Sequence, residues 1–303
     1  MTKLDFGPVM LGGNVFGWTV KTREEAFALL DAFVEGGGKS IDTADSYVAF
    51  APGCQGGESE TMIGEWLAAR KNRASLVIAT KVGKWARRPG LSPKNIRESI
   101  DGSLKRLQTD YVDLYYAHAD DENVAQPEYV SAFDDLVRVG KVRALGASNF
   151  TAPRLGAALE FAKNFGLHAF EYSQDKWNLV EREVEQRLVP TLIEAGLQEL
   201  PYYSLASGFL TGKYRPGTAV DSARVQNAGK YLAEPNNVKL LSVLDGIAAE
   251  HQVSVAAVSL AWLKSHAVVA APLASARTVE QLAPMFEAAS LKLNADELGA
   301  LSA

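Results

Sequence analysis

The chain has one cysteine, Cys54, so no intrachain disulfide can staple it, and no second thiol completes a redox or zinc pattern. No apolar run approaches the roughly 18 residues of a membrane span, which excludes insertion as a helix. The opening Met1-Thr2-Lys3-Leu4-Asp5 carries an acid early and lacks the apolar stretch of about 7–15 residues of a secretory signal, so a cytoplasmic location is expected. Basic surplus is missing too. A formal charge of −5 opposes nucleic-acid binding, which needs a basic footprint on phosphate. There is no G-x-G-x-x-G, and Gly38-Lys39-Ser40 is no phosphate loop, because Phe33 stands where that motif needs its first glycine.

What is present reads as repeated strand and helix. Apolar runs at Val9–Leu11, Lys39–Thr43, Leu76–Thr80 and Val112–Ala117 are followed by others at Ala144–Ala147, Phe170–Ser173, Glu199–Tyr203 and Val268–Pro272. Helices fit Thr22–Val34, Gly56–Arg70, Ser92–Leu107, Tyr129–Val139, Pro153–Asn164 and Glu183–Ala195. Further helices fit Val238–Glu250, Val253–His266, Thr278–Ala288 and Ala295–Leu301. Leu205 to about Asn237 is an unusually long connection and reads as a ligand-covering loop. Gly12-Gly13 would let backbone approach a ligand closely. Eight strand–helix units without a Pro/Gly-rich linker predict one α/β domain over 1–303, a (β/α)8 barrel with its site at the carboxyl ends of the strands. An open doubly wound sheet is the structural rival, and the missing dinucleotide fingerprint argues against it.

Three early strands end on chemistry: Ile41-Asp42-Thr43-Ala44-Asp45-Ser46-Tyr47, then Lys81, then His118. On one barrel face those four side chains converge, and an ammonium paired to a carboxylate beside a phenol should favour the phenolate and lower its pKa, making Tyr47 a usable proton donor. Asp42 and Tyr47 in D-x-x-x-x-Y, Lys81 at its strand end, and Asp113-Leu114-Tyr115-Tyr116-Ala117-His118 resemble the Asp/Tyr/Lys/His tetrad of the aldo-keto reductase superfamily. His118 with Asp120, Asp121 and Glu122 also prompts a metal-hydrolase reading, but no second histidine stands at ligand spacing, so no metal is expected.

A proton donor to a carbonyl needs an electron source, and a hydride cofactor fills that gap. Ser148, Asn149 and Gln174 at later strand ends can donate to and accept from a carboxamide, and Tyr203 can stack on a nicotinamide. The resemblance extends through Gly146-Ala147-Ser148-Asn149-Phe150, Gln174 with Trp177-Asn178-Leu179, and Tyr203-Ser204-Leu205-Ala206-Ser207-Gly208 with Leu210-Thr211-Gly212-Lys213-Tyr214. It implies that Leu205, Gly208 and Lys213 lie along the pyrophosphate and that Arg224 clamps over it. It implies too that Ser275-Ala276-Arg277 holds a 2′-phosphate and that Gln281 touches the adenosine. Pro284-Met285 departs from the family's Glu-Asn pair, which implies weaker binding shared by both dinucleotides.

The resemblance thus implies NADPH, with NADH less favoured, and reduction of a small-molecule aldehyde or ketone. Hydride would come from the nicotinamide and the proton from Tyr47, with Lys81 and Asp42 tuning it and His118 orienting the carbonyl. A different class within the same resemblance is a cofactor-sensing regulatory subunit akin to channel-associated β subunits. Monomer is the superfamily's ordinary expectation; the substrate and the oligomeric state are not legible in the sequence. Phe50 and Trp85 offer an apolar or sugar-stacking wall.

Overall fold

The computed structural model describes residues 3–217 and 225–302. Eight parallel strands form its centre: β1 Met10–Gly12, β2 Ser40–Asp42, β3 Val77–Val82, β4 Val112–Ala117, β5 Val142–Ser148, β6 Phe170–Gln174, β7 Gln198–Glu199 and β8 Leu273–Ala274. Consecutive strands pair from β1 through β7, and β8 pairs with β1 through Met10–Leu273 and Leu11–Ala274. A bridge between Glu199 and Val269 completes the ring, so the fold is a closed (β/α)8 barrel.

Strand alternation sorts the side chains into two layers. Met10, Ala79, Leu114, Tyr116, Ala144, Tyr172 and Leu273 fill the interior, with Phe6 packed edge-on to Tyr172. Ile41, Ile78, Val82, Tyr115, Leu145 and Ala147 point outward, into the layer beneath the helices. Neighbouring backbones meet closely inside: a Cβ on Gly146 would stand 2.3 Å from the Tyr116 ring, so that position admits glycine.

The helices begin where the sequence marks them. Helix α1, Arg23–Glu35, opens on a capping box in which Thr22 accepts from the Glu25 amide and Glu25 reaches back to Thr22. Helix α2 is Glu58–Arg70, and α3, Pro93–Leu107, is capped by Ser92 and buries Ile96, Ile100, Leu104 and Leu107 at helical spacing. Helices α4, Gln126–Arg138, and α5, Ala152–Phe165, start slightly earlier than expected, each with proline in its first turn.

Several expectations are corrected. Glu183–Ala195 is two short helices, Glu183–Arg187 and Val189–Ala195, because Pro190 can neither donate to the preceding turn nor avoid clashing with it. The ladder of β7 ends two residues before Pro201, although Tyr202 still donates to the Asp175 carbonyl. The Val268–Pro272 run only flanks β7, through Glu199 to the Val268 carbonyl and Ala270 to the Glu199 carbonyl; regular pairing starts beyond Pro272, at Leu273. The expected loop over 205–237 contains a 3₁₀ turn, Ala206–Thr211, and a helix, Val225–Leu232. A small hairpin of Lys84–Trp85 and Arg88–Pro89 follows β3 and was not legible in the sequence. Gly12 and Gly13 accommodate protein: Cβ atoms there would stand 2.5 Å from the Ser275 hydroxyl and 2.9 Å from the Asp42 carbonyl.

Candidate active site

Alternation within the strands brings the tetrad together. Ile41 faces outward, so Asp42 turns into the barrel; Ala79 is interior, so Lys81 two residues on is interior as well; and His118 continues the inward Leu114–Tyr116 series. Asp42 and Lys81 are fully buried, their carboxylate and ammonium 2.6 Å apart, and Lys81 Nζ also donates to the Thr43 carbonyl at 2.8 Å. Tyr47, on the turn after β2, places its hydroxyl 2.8 Å from both Lys81 Nζ and Asp42 Oδ2. The His118 ring stands edge-on to Tyr47, centroids 6.0 Å apart, with Nδ1 3.5 Å from the Ser46 hydroxyl.

The electrostatics correct one expectation. Burial first, and then the Asp42 charge, push the Tyr47 phenol well above its ordinary pKa, so its proton is held rather than loosened. Burial pulls the Lys81 ammonium down and Asp42 opposes it. Burial and the charges of Lys81 and Lys84 pull His118 well below its ordinary value, leaving a neutral imidazole at neutral pH. The arrangement is therefore a protonated phenol and a neutral imidazole side by side. Both are hydrogen-bond donors to an oxygen that gains negative charge.

Gln174, expected as a carboxamide contact, is buried and donates to Asp42 Oδ1 at 3.0 Å, which makes it part of the tetrad's support. Ser148 is buried and accepts from the Asn149 side chain at 2.8 Å. Asn149 is exposed, has φ of 58°, and also bonds the His118 carbonyl at 3.0 Å and the Tyr202 hydroxyl at 2.7 Å. Beside this group opens a cavity of about 660 Å³, lined among others by Tyr203, Leu205, Gly208, Lys213, Ser275, Arg277 and Gln281. Tyr203 is 51% exposed, so its ring offers a free face. Ser204 lines the cavity, but its hydroxyl is committed to the Pro201 carbonyl at 3.0 Å. The Arg277 amide donates to Gln281 Oε1 at 3.0 Å, and its guanidinium forms no ion pair among the described residues. Pro284 and Met285 line the same wall. Arg224 lies outside the described residues.

Trp85 is not in that lining; its indole donates to the Gln55 carbonyl at 2.8 Å. Phe50 is in it, 70% exposed and edge-on to Trp18 at 5.2 Å. Sequence reading missed three buried acids. Asp45 has both carboxylate oxygens unpartnered, and burial, reinforced by Glu60, raises its pKa to about 8. Asp175 and Glu199 lie beneath Asn149. The only signal for any of them was position: Asp45 stands inside the first motif, Asp175 directly after Gln174.

Comparison with known proteins agrees with this geometry. The family model described as Aldo/keto reductase family matches residues 8–303. The chain is similar to norsolorinic acid reductase B of Aspergillus parasiticus, 34% identical with 97% of this chain and 79% of that protein covered. It is equally similar to a putative aryl-alcohol dehydrogenase of Saccharomyces cerevisiae, 34% identical over 96% of this chain and 81% of that one. An aryl-alcohol dehydrogenase of Pestalotiopsis microspora is 34% identical as well, with 96% and 77% covered.

Proposed function

The chain belongs to the aldo/keto reductase family, as an oxidoreductase acting on CH–OH and C=O groups, and on that premise we propose that it reduces an aromatic aldehyde or ketone with NADPH, Tyr47 supplying the proton. The observation that carries this reading is the Tyr47 hydroxyl held 2.8 Å from Lys81 Nζ, beside a cavity whose far wall carries Arg277.

The cavity's donor set fits a nicotinamide dinucleotide phosphate. Tyr203 would stack on the nicotinamide, Lys213 and the backbone around Gly208 would face the pyrophosphate, and Arg277 would clamp the 2′-phosphate. When bound, such a cofactor supplies hydride to a carbonyl carbon. Tyr47 and neutral His118 donate to the carbonyl oxygen as charge develops, and Tyr47 transfers its proton there. The alkoxide formed is a far stronger base than a phenolate, so the raised Tyr47 pKa leaves transfer favourable and keeps the proton in place beforehand. Lys81 then faces the new phenolate at 2.8 Å, and Asp42 balances the Lys81 charge before and after. Gln174 holds Asp42 in position.

For the substrate, the edge-on Trp18 and Phe50 pair lines the cavity with an aromatic surface suited to an aryl ring. Two similar proteins bear the name aryl-alcohol dehydrogenase, which points the same way. The test is NADPH absorbance against matched aryl and alkyl aldehydes: faster reduction of the aryl member is expected. Equal kcat/KM across the pairs would sink the aromatic assignment, and no turnover with any carbonyl would sink the reductase reading.

A further inference from the structure

Two buried carboxyls that form no ion pair among the described residues lie beneath Asn149, at the ends of adjacent strands. Asp175, directly after β6, accepts the Asn149 backbone N–H on Oδ1 at 3.0 Å and the Ser173 hydroxyl on Oδ2 at 2.5 Å. Its own N–H donates to Glu199 Oε1, on β7, at 2.7 Å. The other Glu199 oxygen is buried without a hydrogen-bond partner among the described residues. Asn149 is the one non-glycine residue of the β5 rim with φ in the left-handed region, at 58°, and its side chain ties together the His118 carbonyl, Ser148 and Tyr202. Holding it in that conformation falls to the Asp175 bond, since its N–H points at that carboxylate.

We propose that Asp175, backed by Glu199, is the positioning residue that fixes Asn149 for the nicotinamide end of the dinucleotide, and that cofactor affinity falls when Asp175 takes up a proton. The inference rests on the cofactor reading above. Ionised, Asp175 accepts both of its bonds; protonated, it turns one oxygen into a donor and weakens the support under Asn149.

The surroundings place that event at moderate acidity. Burial raises Asp175 to about 6, opposed by the Ser173 hydroxyl, the Asn149 N–H and the charge of Lys84 on the hairpin after β3. Burial and then the Asp175 charge push Glu199 well above the ordinary carboxyl range, so Glu199 stays protonated while Asp175 is charged. Tyr202, which also feels the Asp175 charge, keeps its phenol proton throughout. Tyr116, on β4, also feels the Glu199 charge and, pushed well above the ordinary phenol value chiefly by burial, keeps its proton as well.

The experiment titrates NADH and NADPH by fluorescence quenching into the full chain and its Asp175→Asn, Asp175→Ala and Glu199→Gln variants, from pH 5 to 8. NADH is the probe for the pH arm, because a phosphate monoester titrates near pH 6 itself. We expect NADH to weaken roughly 3–10-fold in the wild type as pH falls from 7.5 to 5, a slope that Asp175→Asn abolishes by holding the weakened affinity at every pH, because its amide, like the protonated carboxyl, turns one acceptor into a donor. Asp175→Ala should raise KM for both dinucleotides about 10-fold at neutral pH with kcat nearly unchanged. Glu199→Gln, which replaces a neutral group by a neutral isostere, should keep the wild-type slope. An Asp175→Asn variant with the wild-type slope would overturn the inference, as would Asp175→Ala losing kcat without a KM change. If Asp175→Ala does not fold, the Asn and Gln variants decide alone. Failure of both dinucleotides to quench the wild type would overturn the cofactor reading and this inference with it.

Discussion

In the proposed mechanism the chemistry turns on Tyr47, and its environment makes the prediction sharp. Tyr47→Phe deletes one hydroxyl from a ring that packs against His118, so turnover should fall by about 10²–10⁴-fold while dinucleotide affinity stays nearly the same. Stopped-flow reduction alongside cofactor titration checks it; wild-type turnover in the variant would remove Tyr47 from the mechanism. Asp45 makes a prediction of the opposite kind. Its carboxyl rises from 3.8 to about 8 on folding, so the folded protein holds a proton that the unfolded chain releases above about pH 4. Stability is therefore fully present below pH 4 and is lost as pH climbs to 8. Asp45→Asn stays neutral, so it should melt several degrees above the wild type at pH 8.5, with the gap closing toward pH 4–5. A gap that widens on acidification would show that Asp45 is ionised in the folded protein.

Between elements, contact distance decides what each residue can be. Helix α2 crosses the end of α3 at Gly64, where a Cβ would stand 2.0 Å from the Arg106 carbonyl and 2.7 Å from the Leu107 Cα. Gly64→Ala gains up to about 1 kcal/mol of helix propensity but must push two helices apart, and overpacking typically costs about 1–3 kcal/mol. A lower denaturation midpoint in urea is expected; a higher one would mean that α3 yields easily. The segment after β8 leads into the turn Val279–Leu282 and the helix Ala283–Ser290, with Arg277 just before them. A guanidinium there contributes hydrogen bonds to a dianion, worth about 1.5–3 kcal/mol for charged groups, so Arg277→Ala should weaken NADPH roughly 10–150-fold and leave NADH nearly unchanged. Pro284 and Met285 sit on the same cavity wall, which either dinucleotide would meet, so on the proposed reading they would act on the common affinity rather than the preference. Equal losses for both dinucleotides would dissociate Arg277 from the 2′-phosphate.

At the scale of the whole barrel, the cavity spans Tyr203 after β7 and Ser275 after β8, so an occupant would join the two strands that close the ring. Binding only to the folded state at 100 times Kd adds about 2.7 kcal/mol, which in a chain of this size corresponds to a rise in Tm of roughly 5–10 °C. Differential scanning fluorimetry with NADPH and NADH should show that rise, larger for NADPH at equal concentration. An unchanged Tm with saturating NADPH would place the cofactor elsewhere.

The sequence by itself determined the barrel, the order of its eight strands and the convergence of Asp42, Tyr47, Lys81 and His118. Those follow from period-two alternation and from turn residues at strand ends, which are local properties. Its errors were local as well: Pro190, Pro201 and Pro272 each removed a backbone donor and moved an element boundary. Only the tertiary structure decided the chemistry of the groups so assembled. Gln174 bonds Asp42 across 132 residues, Asp175 meets Glu199 across 24, and the Asp45 side chain ends without a side-chain hydrogen-bond partner among the described residues. The pKa of Tyr47, expected to fall beside an ammonium, rises instead, because exclusion of water, reinforced by the Asp42 charge, disfavours the phenolate. Burial of that kind is a property of the closed barrel and is written at no single position of the chain.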